Sequence, residues 1–177
     1  MAHPLASRAA FDYIGEMLLY IVRHAYAGQH GDPRWPDDSQ RPLTKKGRKQ
    51  FKLAVKRLAK RGFEPGIIAT SPFVRCRETA DIVADVVPRD PEVVELGELA
   101  PGSQLEALIS WTNQQVEQSV AWVGHAPDVD RLAGSLLGHE AHVRFAKGAV
   151  AAIEFEGNIA AGHGVLTWFV TPKIVGA

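Results

Sequence analysis

Residues 17 to 22, Met-Leu-Leu-Tyr-Ile-Val, form an unbroken apolar run that stops abruptly at Arg23-His24. Six residues are too few for a core helix, and the branched and aromatic content suits a strand. A strand that is apolar on both sides must be covered on both faces, as the inner strands of an α/β sheet are. Ile67 to Thr70 and Ser119 to Val123 read as further strands of this kind, and Glu92 to Leu96 as a third candidate. Val150 to Phe155 and Val165 to Val170 read as a closing pair joined through the segment Gly157 to Gly164, a long hairpin.

The intervening segments carry helical periodicity. Thr44 caps a helix whose apolar residues Phe51, Ala54, Val55 and Leu58 recur at helical spacing, with Gly62 closing it. Ser71-Pro72 supplies a cap residue and a first-turn proline for a helix that buries Ala80, Val83, Ala84 and Val87. A third helix runs from about Gln104, and Pro127 opens a fourth with Val129, Leu132, Ala133, Leu136 and Leu137 facing inward. Strands alternating with helices predict an α/β sandwich with a largely parallel sheet and some antiparallel edge. At 177 residues and 46% hydrophobic content, the chain is sized for one core. Residues 17–177 are therefore read as a single domain, with 1–16 as an N-terminal extension.

Twenty Lys+Arg balance twenty Asp+Glu, which argues against whole-surface attraction to nucleic acid or an anionic membrane. The single cysteine, Cys76, has no internal disulfide partner, and no long apolar span is present, so a cytoplasmic location is expected. The charge is nevertheless uneven. Residues 41 to 61 hold ten cations and no acid, half of all the positive charge. One reading is a solvated helix face; the other is a positive field beside an anionic substrate.

Ligands of open α/β sheets bind beyond the carboxyl ends of the strands, and four functional side chains fall there. Arg23 and His24 follow the first strand, Arg75 follows the second after a short turn, and His125 follows Val123-Gly124. Two guanidiniums can grip a phosphoryl group through paired donors. A neutral imidazole between them is a competent nucleophile at phosphorus, and a second imidazole can bond the equatorial oxygens as charge builds. The helix start near Arg75 adds main-chain donors.

Val22-Arg23-His24-Ala25, Arg41-Pro42-Leu43-Thr44 with Gly47, Ser71-Pro72-Phe73-Val74-Arg75 with Glu78-Thr79-Ala80, and Val123-Gly124-His125 occur in that order. In these motifs the chain resembles the histidine phosphatase superfamily over residues 17 to 172, and looks closest to its SixA-type branch of protein-phosphohistidine phosphatases. Ala25 stands where the superfamily commonly has glycine. The resemblance implies a phosphoglycerate mutase-like fold, a three-layer α/β/α sandwich with a mostly parallel sheet, with His24 as the phosphorylated nucleophile, and Arg23, Arg75 and His125 as the phosphate pocket. It also implies Arg41 and Ser71 as further substrate-binding residues, and no metal or organic cofactor. Glu98 lies where the family places its general acid, among several carboxylates in the same stretch.

Forty-nine residues separate Arg75 from His125, too few for a large helical cap once a strand and a helix are accommodated. An open site favours phosphate carried on a protein, such as a phosphohistidine phosphotransfer domain, and the basic helix suggests docking of an acidic phosphoprotein. A phosphatase of small phosphomonoesters and a non-catalytic phospho-binding module are the alternatives. Cys76 lacks the arginine six positions on that cysteine phosphatases need, since Ile82 stands there. Asp128-Val129-Asp130 falls inside a helix and reads as surface acids. His139, His142 and His163 read as solvated loop residues rather than a zinc site, and Trp111, Trp122 and Trp168 as core. No phosphate-binding Gly-Lys-Ser/Thr loop, dinucleotide fingerprint or nucleophile-elbow serine is present.

Overall fold

The computed structural model describes residues 15–138 and 141–177. Of the expected extension, residues 1–14 lie outside the described residues, and Glu16 already belongs to the first strand. Six strands form one sheet: β1 (Glu16–Arg23), β2 (Ile67–Thr70), β3 (Glu92–Glu95), β4 (Ser119–Gly124), β5 (Val150–Glu156) and β6 (Val165–Val170). Their spatial order is β3-β2-β4-β1-β5-β6. The first four in that order are mutually parallel, β5 runs antiparallel to β1, and β6 runs antiparallel to β5 and so in the direction of the first four.

Helices α1 (Lys45–Ala59) and α2 (Val74–Ala84) cover one face, and α3 (Leu105–Thr112) and α4 (Asp128–Leu137) the other. The continuous apolar run of β1 is explained by this double cover. Tyr20 and Val22 pack with Phe51, Val55, Leu58, Ala80 and Val83 on one side. Leu19 and Ile21 pack with Leu108, Leu132, Ala133 and Leu136 on the other. Burying each large aliphatic or aromatic side chain contributes about 1.5–3 kcal/mol, and truncating Phe51, which is 1% exposed, would cost about 3–5 kcal/mol.

Thr44 caps α1, accepting from the Gly47 amide at 2.9 Å. Gly47 is required where it stands, because a Cβ there would come 2.2 Å from the Tyr26 carbonyl oxygen. Ser71, by contrast, does not cap α2. Its amide bonds the Val123 carbonyl, extending the sheet ladder by one residue, and its hydroxyl turns toward His125. The helix starts at Val74 with Phe73 as an N-cap lacking a side-chain bond. It ends at Ala84, before the buried Val87. Trp122 is fully buried as expected; Trp111 and Trp168 pack half-buried against the two cores.

Candidate active site

Because β2, β4 and β1 are adjacent and parallel, their carboxyl ends share one sheet edge. A pocket of about 650 Å³ opens there, and Arg23, His24, Arg41, Arg75 and His125 all line it. Segment 76–124 is consumed by the rest of α2, β3, the turn Gly97–Leu99, α3 and β4.

His24 is 6% exposed, and its Nδ1 lies 2.8 Å from the Ala25 carbonyl oxygen. A carbonyl can only accept, so Nδ1 carries the proton and Nε2 keeps its lone pair. Burial pushes the His24 pKa down to about 3, helped by His125, Arg75 and Arg23 and opposed by the Ala25 bond. The ring is therefore neutral at pH 7. His125, with its ring centroid 5.4 Å away, is lowered to about 4 by burial and then by Arg75, against the pull of Asp128 and Asp38.

Ser71 is fully buried and is not among the pocket-lining residues; its hydroxyl sits 2.9 Å from His125 Nε2. Phe73 packs edge-on to His125 and stacks with the Arg75 guanidinium at 4.8 Å. Cys76 Sγ lies 3.4 Å from His125 Nε2, but burial pushes its thiol up to about 12, which leaves it un-ionised. Glu98 sits half-buried on the turn Gly97–Leu99, outside the pocket lining, while Pro101 from the same loop reaches the pocket.

The guanidiniums are fixed from behind. Arg23 Nη1 donates to the Phe145 carbonyl at 2.6 Å, and Arg75 Nη1 to the Asp38 carbonyl at 2.7 Å. The Asp38 carboxylate joins Arg41 Nε at 2.7 Å, His30 at 3.0 Å and Arg75 Nη2 at 3.1 Å. Bonding to Arg41 first, then to His30, with attraction from Arg75, holds its carboxyl well below the usual range. The Nε atoms of Arg23 and Arg75 are buried with no acceptor within the protein. Buried donors without partners are costly, and both belong to arginines that line the pocket.

Several contributors were not legible as site residues. Asp38 and Lys147 both line the pocket. Thr79 accepts from the Ala25 amide at 3.1 Å and donates to the Arg75 carbonyl at 2.6 Å. Glu78 accepts from the Leu43 amide at 2.7 Å and pairs with Arg48. The motif Glu78-Thr79 thus ties α2 to the chain on both sides of the loop 26–43. Only the adjacency of Glu78-Thr79 to Arg75 signalled this. Asp128 and Asp130 are not surface acids: Asp128 is 5% exposed, accepts from the Gly102 amide and pairs with Arg131, and Asp130 accepts from the Phe145 amide. Among the described residues, no group of three or more His, Cys, Asp or Glu side chains is placed to hold a metal. His142 and His163 are exposed, and His139 lies outside the described residues. No helix among the described residues is long and apolar enough to cross a membrane.

The model of the histidine phosphatase superfamily (branch 1) matches residues 19–170. The chain belongs to the histidine phosphatase superfamily. It is 35% identical over 125 residues to an uncharacterised protein of Picosynechococcus sp., covering 68% of this chain and 73% of that protein. It is 29% identical over 163 residues to the phosphohistidine phosphatase SixA of Escherichia coli, covering 88% of this chain and 94% of that protein. A structure of the protein histidine phosphatase SixA complexed with tungstate superposes with TM-score 0.78 and 25% identity, over 90% of this chain and 99% of that one. The chain is a phosphatase of this superfamily, with the three-layer α/β fold expected of it.

Proposed function

We propose that this phosphatase removes phosphate from phosphohistidine on a protein, through a phosphoenzyme at His24. The observation that carries the reading is a neutral His24, its Nε2 lone pair free, in a pocket whose two flanking arginines each hold a buried Nε–H without an acceptor. A phosphoryl group would supply the missing acceptors while its phosphorus faces the imidazole. Arg23, Arg75, Arg41 and His125 hold the equatorial oxygens, and Ser71 acts as a positioning residue through His125.

In the first step the bond from His24 Nε2 to phosphorus forms as the bond from phosphorus to the substrate imidazole breaks, and the departing ring keeps the proton it carried. In the second step water attacks phosphorus, the Nε2–phosphorus bond breaks, and inorganic phosphate leaves with His24 neutral again. The leaving group decides the substrate class. The lining carboxylate Asp38 is held ionised by its cations, and Asp128 is engaged by Arg131 and the Gly102 amide. We assign the general acid to Glu98 for leaving groups that need one; outside the pocket lining it serves phosphohistidine least, because a protonated imidazole leaves as a neutral ring. The open site and the named function of the E. coli relative favour the same substrate, and the single buried cysteine fits a cytoplasmic setting.

The test is phosphate release from a phosphohistidine-bearing phosphotransfer domain beside a panel of small phosphomonoesters. Wild type should prefer the protein and form an acid-labile phosphoenzyme on rapid quench, and His24→Ala should lose both turnover and label. Preference for one metabolite would replace this reading with a small-molecule phosphatase, and phosphate binding without release would leave a recognition module.

A further inference from the structure

A second cleft of about 590 Å³ lies beside the pocket, and Ala27 and Lys147 line both. Its walls come from four places: Tyr26 just past His24, Lys46 and Gln50 on the first turns of α1, Ala146 and Lys147 ahead of β5, and Pro172 and Lys173 beyond β6. No Asp or Glu side chain lines it. The cations here differ in how they are used. Arg41, Arg48 and Arg75 are each bound to a carboxylate, whereas Lys46, Lys147 and Lys173 form no ion pair among the described residues. The first turn of α1 contains Lys45 and Lys46 and no acid, so positive charge is set against the positive helix end, which destabilises the helix unless something outside it compensates. At the junction of the two clefts stands Tyr26, 50% exposed, with Lys147 Nζ 5.3 Å from its ring centroid.

We infer that this cleft receives an acidic stretch of polypeptide next to the phosphorylated residue of a protein substrate. The inference rests on the phosphoprotein reading above. Three lysines that form no ion pair among the described residues, in a cleft that no Asp or Glu side chain lines, are complementary to aspartate and glutamate side chains. The flat, half-exposed Tyr26 ring gives an extended chain an apolar footing as it leaves the catalytic pocket. Two joined clefts exceed what one phosphorylated metabolite fills, since a single site of either size already accommodates a whole small ligand. A polypeptide that places its phosphoryl group at His24 would run on through the shared Ala27–Lys147 boundary.

The test uses the full chain and three probes: p-nitrophenyl phosphate and two synthetic phosphohistidine peptides, one flanked by glutamates and one by serines. Wild type should show kcat/KM about tenfold higher on the acidic peptide at low salt, with the preference shrinking at high salt. The variant K46E/K173E, at residues outside the catalytic pocket, should lose that preference while hydrolysing p-nitrophenyl phosphate and the serine-flanked peptide as wild type does. Tyr26→Ala should lower kcat/KM on both peptides and spare p-nitrophenyl phosphate. Equal wild-type rates on the two peptides would overturn the inference and leave the phosphohistidine reading intact. Failure on both peptides with turnover of p-nitrophenyl phosphate would remove the phosphohistidine reading and the inference with it. Protein self-association abolished by K46E/K173E, without any peptide preference, would assign the cleft to a second copy of the chain instead.

Discussion

Replacing Thr79 by Val tests whether a buried hydroxyl on α2 positions the nucleophile. Thr79 is fully buried; it accepts from the Ala25 amide at 3.1 Å and donates to the Arg75 carbonyl at 2.6 Å. Valine keeps the shape and removes the oxygen. The Arg75 carbonyl stays within the helix ladder four residues from Thr79, so the group left without a partner is the Ala25 N–H, itself 1% exposed at its residue. An orphaned buried amide costs about 1–3 kcal/mol, so a loss of about 2 kcal/mol is expected. With a urea dependence near 2.5 kcal/mol per molar for a chain of this size, the unfolding midpoint should fall by about 0.8 M. The effect should also reach catalysis. The Ala25 carbonyl fixes His24 Nδ1, so a loosened Ala25 lets the imidazole swing, and kcat on p-nitrophenyl phosphate should fall about tenfold. Thr79→Ser, which keeps the oxygen, should recover most of kcat. An unchanged kcat in Thr79→Val, or equal damage in Thr79→Ser, would refute the positioning argument whatever the stability change.

Two other outcomes follow from the site. The pKa values of His24 and His125 are lowered by burial to about 3 and about 4. The unfolded chain therefore takes up protons that the folded one refuses as pH drops below about 6.5, and stability should be full above that pH and fall below it by about 2 kcal/mol per ring between pH 7 and 5. Urea denaturation at pH 7, 6 and 5 measures this, and His24→Asn should flatten about half of the slope; a wild-type curve already flat would refute it. Glu98→Gln should slow alkyl phosphates far more than aryl phosphates and phosphohistidine least, and equal slowing of all three would remove Glu98 from the acid's role.

The central architecture was readable because burial on both faces leaves an unambiguous trace. Met17 to Val22 and Val120 to Val123 have no polar interruptions, and the spacing of Phe51, Ala54, Val55 and Leu58 admits one buried helical face. Thr44 announced its cap correctly, whereas Ser71 carried the same chemical signal and did not cap. The difference is tertiary: the Ser71 backbone is still held by Val123, so its side chain points at His125 instead of at an amide of α2. Asp128 looked like a surface acid because the residues that engage it, Gly102 and Arg131, satisfy a buried carboxylate in ways no local pattern records. Asp38 opens a single 3-10 turn, Asp38–Gln40, too short to show periodicity, and its link to Arg75 spans 37 positions.

Lys147 shows a more general reason for a missed residue. The rule that ligands gather beyond the carboxyl ends of strands directs attention to the residues after β1, β2 and β4, and all three delivered a side chain to the pocket or to His125. It does not anticipate what an antiparallel neighbour brings. Val22 pairs with Val150, so β5 begins at the edge where β1 ends, and the chain entering β5 crosses the rim of the site. The contacts are dense there: the Arg23 amide bonds Ala149, the Gly148 amide bonds the Arg23 and His24 carbonyls, and Arg23 Nη1 reaches Phe145. The strand that breaks the parallel pattern thus anchors the arginine beside the nucleophile and sets a lysine between the catalytic pocket and the neighbouring cleft. In a mixed sheet, the entrances of antiparallel strands belong to the functional edge as much as the exits of parallel ones.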